Sequence, residues 1–542
     1  MSKQYGTGPK AWRMGAWAAV LCVFVAAAAV AQQAPVAPPA AQGSEASKPA
    51  SKITPEQARQ LFSLVDELIK FSSSESGLPI KSEVKRQLTS RGDVETYLKQ
   101  KFDEDEGAKR MQQGEIVLKK FGLLDRDFKL KPFLLALLKE QIEAYYDSKT
   151  KSVYMLDWVS VEEQKPVLAH ELTHALQDQH VDMENWNNQT PSVVSHNSRE
   201  DNEHLAKDEM DTAREAVTEG QATAVMMDYI LKPMGKSLVK DPEIIEGVKD
   251  QMTGSESSPV LARAPLLLAE SLLFPYREGL SFEQDVWMGQ GRGAAFAGAL
   301  DRPPTSSWEI INPLEYEKKH VPAVPLLPNI HPLVDGTYKA YDIGQIGQLD
   351  VHILTKLFGG DRAAAQLTPA WDGGLYWAGQ RLDTKTAEAQ ASTKSIALFY
   401  LSAWKNAASA QAFTHLYTEE LGRKYSGLKA VPGVELSRPA ALSTASPESQ
   451  DVEQVYSTDE GPVVITTRGK LVFVAESFPL EMARQLTALI LDAQGSGELH
   501  EAMLSQPADA APGSTLTANL TRFLSSCGVM KAAVDAAVGA GR

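Results

Sequence analysis

The segment Val167-Leu168-Ala169-His170-Glu171-Leu172-Thr173-His174-Ala175-Leu176 constrains this chain more than any other stretch. On a helix, residues four apart share one face. His170 and His174 can therefore offer two imidazole nitrogens to one metal ion, each at the roughly 2.0–2.1 Å that Zn–N bonds require. Glu171 follows the first histidine and leans to the same side, where a carboxylate can take a proton from water. Val167 to Ala169 and Ala175 to Gln177 carry no charge, and Leu168, Leu172 and Leu176 are large apolar residues that can bury the helix. The pattern predicts a helix over Lys165 to Gln179.

Hydrolytic zinc sites need a third protein ligand and one open position. His180 lies six residues after His174, the spacing of H-E-x-x-H-x-x-G-x-x-H. That pattern needs a glycine at 177 to turn the chain back; Gln177 instead continues the helix, so His180 reads as a surface or loop histidine. The other solution is a carboxylate from a second helix. Glu219 sits among apolar Val217, Ala222 and Met226, an odd place for an unpaired carboxylate. Gly220 costs helix stability, and its gain would be close approach of two helices at the metal. Glu215, one turn earlier, is the competitor, but it ends a charged stretch from Lys207 that reads as solvent-facing. Two histidines and both glutamates would fill a tetrahedral site, so only one is expected as a ligand, and Glu219 is favoured. Asp178, four residues after His174, could orient an imidazole, cap the helix or face solvent.

Lys3, Lys10 and Arg13 precede an uncharged apolar run, Met14 to Ala31, that ends Ala29-Val30-Ala31. This predicts a signal peptide cleaved after Ala31 rather than a spanning anchor. The mature protein is then exported, periplasmic or secreted, with no membrane span. Cys22 leaves with that segment and Cys527 remains, so no intramolecular disulfide forms. The formal net charge of −15 argues against a sequence-blind nucleic-acid binder, which needs a positive field.

The expected organisation is a signal peptide over 1–31, an Ala/Pro/Ser linker over 32–52, a main domain over 53–435, a strand hairpin and helix over 436–504, and a flexible tail over 505–542. Thr54-Pro55-Glu56-Gln57 is a capping box that starts the ordered chain. Helical patterns recur at Pro132–Ala144, Asn202–Leu231, Ala262–Leu272, Phe282–Met288, Ile346–Leu357, Ser395–Tyr425 and Leu480–Leu491. Ser152 to Leu156 reads as a short strand, and Pro462–Thr467 with Lys470–Ser477 as a hairpin around Arg468-Gly469. The fold class is α+β, mainly helical with a short sheet.

His170 to Gln179, followed by Glu219-Gly220-Gln221-Ala222, resembles the gluzincin metallopeptidases, the clan of thermolysin and the zinc aminopeptidases. Within it the chain looks most like bacterial minigluzincin-like proteins. The resemblance covers about Thr54 to Tyr425. It includes the strand pair Tyr145-Tyr146-Asp147…Val153-Tyr154-Met155 and, more weakly, Pro303 to Glu309. It implies one Zn²⁺ ion held by His170, His174 and Glu219, a gluzincin-like domain over 53–435, and hydrolysis of a peptide or protein substrate with Glu171 as general base. It also implies that a substrate backbone pairs with a sheet edge beside the motif helix; Val153–Leu156 is either that edge or a strand that closes the core. Two features depart from the clan: the longer gap between His174 and Glu219, and Thr223 where thermolysin-like enzymes carry an aspartate. Tyr376, His331 and His352 are candidate oxyanion donors. The alternatives are a zinc-bound, non-hydrolytic binding or scaffold protein of the cell envelope, and an envelope-anchored protein whose C-terminal hairpin region binds a partner.

Overall fold

Thr54 starts the first helix as its sequence predicts. Its hydroxyl accepts from the Gln57 N–H at 3.2 Å, and Gln57 Oε1 accepts from the Thr54 N–H at 2.8 Å. The helix, Pro55–Ser76, buries Leu61, Val65 and Leu68 and packs along the helix that carries the two histidines. Ser72, also buried, donates its hydroxyl to the Ala169 carbonyl at 2.9 Å and fixes the register between the two. The computed structural model describes residues 52–104, 106–186, 197–253, 258–432, 451–494, 517–525, 527–528 and 531–540. The expected signal peptide, its cleavage after Ala31 and all but the last residue of the linker lie outside them.

Helices dominate, and two sheets make the fold α+β. The smaller sheet joins β1 (Lys85–Thr89), β2 (Ala144–Asp147) and β3 (Ser152–Leu156) in the order β1-β3-β2. Strand β3 pairs in parallel with β1 and antiparallel with β2. Both its edges are used, so of the two roles open to Val153–Leu156 the strand closes the core and offers no edge to a substrate.

The larger sheet has seven antiparallel strands in the order β4-β5-β6-β10-β9-β8-β7. They are β4 (Tyr338–Gln345), β5 (Trp371–Arg381), β6 (Ile396–Trp404), β7 (Lys429–Ala430), β8 (Val452–Thr458), β9 (Gly461–Arg468) and β10 (Leu471–Glu476). The Arg468-Gly469 hairpin forms as expected, with Gly469 at φ +56°. Its strand β10 pairs with β6, however, so one sheet crosses the expected boundary at residue 435. The sheet is also longer than the sequence reading allowed, and the first part of Ser395–Tyr425 is strand, not helix. Cross-strand neighbours share a face. Tyr376, Tyr400 and Val474 face helices Gln348–Leu367, Ala407–Lys424 and Glu106–Phe121, while Trp377, Phe399 and Ala475 face the other way, toward Leu480–Ala493.

The last hundred residues hold a second correction. Residues 517–540, expected within a flexible tail, include the helices Ala518–Ser525 and Lys531–Ala540. Phe523 meets Phe102 with ring centroids 4.3 Å apart, and Ala532, Ala533, Ala536 and Ala537 are buried. Small side chains let this helix close on its neighbours, so an Ala-rich composition here signals packing rather than looseness.

The expected helix over Asn202–Leu231 is two helices, Ser198–Leu205 and Met210–Leu231. Nor does the stretch from Lys207 to Glu215 face solvent: Asp208, Glu209, Asp211 and Glu215 are all buried. Remote donors explain two of them. Asp208 Oδ2 accepts from the Gln345 N–H at 2.6 Å, and Glu209 Oε1 from the Ser307 hydroxyl at 2.6 Å. Asp350, next to them, accepts from the Gly347 N–H at 2.9 Å and the Thr517 hydroxyl at 2.8 Å.

Burial pushes all three carboxyls up, Glu209 to about 8 and Asp350 to about 7, and the surrounding carboxylates add to the shift at Asp208 and Glu209. In the unfolded chain these groups lose their protons near pH 4. The folded state thus holds protons that the unfolded state has released. The stability tied to them is full below about pH 4 and is lost as pH rises through 7 to 8. Thermal unfolding at pH 6 and pH 9 should show a lower Tm at pH 9. Glu209→Gln, which keeps an acceptor for Ser307, should narrow that difference; an unchanged difference would remove Glu209 from the effect.

Candidate metal centre

Ser160 and Glu163 form a second capping box, with the Glu163 N–H on Ser160 Oγ at 3.3 Å and the Ser160 N–H on Glu163 Oε2 at 3.2 Å. It starts the motif helix, Val161–Val181, which is buried from Val167 through Asp178. The helix therefore carries its two histidines into the interior. The glutamate helix, Met210–Leu231, packs against it and brings Glu219 to the same point. His170 Nε2 lies 3.0 Å from His174 Nε2 and 3.1 Å from Glu219 Oε2, and His174 Nε2 lies 3.6 Å from Glu219 Oε1. A tetrahedral ion with bonds near 2.0–2.1 Å has ligand–ligand edges of about 3.3–3.4 Å. The three separations bracket that value. Among the described residues this is the one His/Cys/Asp/Glu group whose ligating atoms converge in this way.

The donor set suits a cation. Burial opposes a charge on His174, but the Glu219 carboxylate more than offsets it and holds the imidazole up to about 9. Burial likewise opposes charge on Glu219, and the two imidazoles hold it down to about 2. A buried carboxylate that stays ionised needs a positive partner, which a proton on His174 or a metal ion supplies. A bound metal ion would be held by His170, His174 and Glu219.

Glu171 is fully buried beside the ligands. Its Oε2 accepts from the Tyr146 N–H at 2.6 Å. That N–H points off the free edge of β2, so the smaller sheet positions the carboxylate.

A third helix, Leu266–Gln290, closes the back of the site by crossing the glutamate helix at Gly220 and Gly279. A Cβ on Gly220 would stand 2.3 Å from the Gly279 carbonyl oxygen, and one on Gly279 would stand 2.1 Å from that of Ala216. Gly220 does permit a close helix approach, but to this crossing helix rather than to the motif helix.

The crossing helix also supplies Tyr276, which the sequence reading missed. Its ring lies 6.3 Å from that of His170, and its buried hydroxyl has no hydrogen-bond partner among the described residues. Burial raises its pKa well above the usual phenol value, and the carboxylates of Glu219, Glu215 and Glu171 add to this. A legible signal was a tyrosine three residues before a glycine, Gly279, between two helical patterns.

The other expected residues are engaged elsewhere. Tyr376 donates to Asp342 Oδ2 at 3.0 Å within the large sheet. His331 pairs with Asp201 at 2.9 Å and Asp335 at 3.2 Å. His352, on the helix Gln348–Leu367, is surrounded by Glu270, Lys356, Glu278 and Arg277. His180 pairs with Asp301 at 2.9 Å. Asp178 does not orient an imidazole: it accepts from the Tyr146 hydroxyl and from Lys151 Nζ, both at 2.7 Å. Glu215 is buried near Tyr276 and stands outside the ligand group.

No protein-family model, curated protein or solved structure matches this chain.

Proposed function

We propose that this protein is a zinc-dependent peptidase of gluzincin type. The observation that carries the reading is the convergence of His170, His174 and Glu219, with the Glu171 carboxylate held beside them by Tyr146. Zinc bound there would supply a Lewis acid that acidifies water and polarises a carbonyl. Glu171 takes the proton of the attacking water and returns it to the leaving amine. The Tyr146 N–H donates to Glu171 Oε2 and holds the carboxylate beside the three converging side chains. Tyr276 offers an unengaged hydroxyl for charge developing on the substrate oxygen. A cleft of about 220 Å³ lined by Lys81, Glu83, Tyr146, Lys151 and Asp178 opens beside the strand that holds Glu171.

Burial favours a second reading. None of the four side chains is more than slightly exposed, and His170 and Glu171 are fully enclosed. A closed centre suits a zinc-bound protein with a non-hydrolytic binding or scaffold role. One digest separates the two. The protein is incubated with a broad peptide library, with and without a zinc chelator, and its metal content is measured. Turnover that the chelator abolishes and added zinc restores is the result expected of the peptidase. Stoichiometric zinc without turnover would favour the second reading.

A further inference from the structure

We propose that Gln177 is a positioning residue that selects the metal-binding tautomer of His174, and that Gln221 holds Gln177 in the orientation this requires. The inference rests on the metal reading above and not on hydrolysis. Both amides are fully buried.

The orientation of each amide is forced by main-chain carbonyls, which can only accept. Gln221 Nε2 meets two of them, Ala295 O at 2.9 Å and Phe296 O at 3.0 Å. Its NH₂ must face that turn, Ala294–Gly298, and its Oε1 is left facing the motif helix. Gln177 Nε2 donates to that Oε1 at 2.9 Å and to the Thr218 carbonyl at 3.0 Å. Gln177 Oε1 must then face His174 Nδ1, which lies 2.8 Å away. An amide oxygen only accepts, so Nδ1 carries the proton. In the neutral imidazole that a metal requires, the lone pair of His174 therefore sits on Nε2, the atom that points at His170 and Glu219. A flip of either amide would set two acceptors against each other in a dry interior, at the cost of unmade hydrogen bonds.

Metal-bound histidines usually donate their second N–H to a carboxylate, a main-chain carbonyl or water. Here a neutral amide three residues along the same helix takes that place. The residue that keeps the motif helix from turning back toward the metal also holds one of its ligands. His170 lacks an equivalent, since its Nδ1 has no partner among the described residues. The relay therefore fixes one imidazole and joins three elements: the motif helix, the glutamate helix and the turn at 294–298.

The test compares wild type, Gln177→Leu and Gln177→Glu. Zinc affinity is measured by chelator competition, and thermal unfolding is measured on the metal-free proteins. Both variants lose the donors to Thr218 and Gln221, so both should unfold at lower temperature. Gln177→Leu should bind zinc roughly 10–100-fold more weakly, the usual loss when such a partner is removed. Gln177→Glu still accepts the Nδ1 proton and should stay within roughly threefold of wild type. The proposal is overturned if Gln177→Leu keeps wild-type affinity, or if Gln177→Glu falls as far as Gln177→Leu. Should the leucine variant fail to fold, ¹⁵N NMR of zinc-loaded wild type decides: Nδ1 protonated and Nε2 bound is expected, and the reverse overturns the assignment. Wild type that takes up no zinc would sink the metal reading with it. Zinc uptake that is equal in wild type and Gln177→Leu sinks the Gln177 role alone.

Discussion

Glu171→Gln should lower peptide hydrolysis by roughly two to four orders of magnitude while leaving metal content unchanged. The amide is close to isosteric, so the fully buried pocket around residue 171 keeps its packing. What changes is chemical: an amide cannot accept the water proton or pass it on. Tyr146 N–H donates to Glu171 Oε2, and the introduced amide can keep its oxygen there, so the side chain stays in place while its basicity is lost. Peptide turnover with zinc quantified in parallel reads both effects. A variant that retains more than about a tenth of the wild-type rate would remove Glu171 from the proton transfer.

Gly279→Ala should destabilise the protein by about 3 kcal/mol and weaken metal binding as well. In an ordinary helix interior this change is favourable, because alanine exceeds glycine in helix propensity by roughly 0.8–1.0 kcal/mol. The expected sign is reversed because the new Cβ would stand 2.1 Å from the Ala216 carbonyl oxygen and 3.2 Å from its Cα. Neither is the end of a flexible side chain. The helices must separate, and Glu219 lies three residues after Ala216 on the one that moves. Gly220→Ala meets the Gly279 main chain at 2.3 Å and should behave alike. Urea unfolding and zinc titration test the pair. A Gly279→Ala protein at least as stable as wild type would mean that the two helices do not touch as described.

The convergence of His170, His174 and Glu219 was legible because it rests on local rules. Two histidines at helical spacing, and a carboxylate stranded among Val217, Ala222 and Met226, announce themselves in one dimension. So do the Thr54 capping box and the Arg468-Gly469 turn. The large sheet was hidden because Ile396–Trp404 is buried on both faces. A strand without a wet face has no alternation and reads like a piece of buried helix. One long helix, Leu266–Gln290, read as two shorter patterns, and it runs through Pro275, a residue that usually ends a helix. Glu209 looked solvated for a different reason: its donor, Ser307, lies far along the chain. The oxyanion candidates failed on the same ground, since distances between remote residues leave no periodic trace. Tyr276 was missed although the glycine beside it was visible.

The chain's last two helices lie against the glutamate helix, and the earlier of them also against the crossing helix and Glu106–Phe121. These contacts span most of the chain, so their loop-closure entropy is met late in folding. A chain emerging from its N-terminus must deliver residues 518–540 before the helix that carries Glu219 is covered. A chain cut before residue 517 would hold both histidines and both glutamates yet lack two helices that pack on the one carrying Glu219, so loss of the segment 517–540 should loosen the candidate centre from a distance.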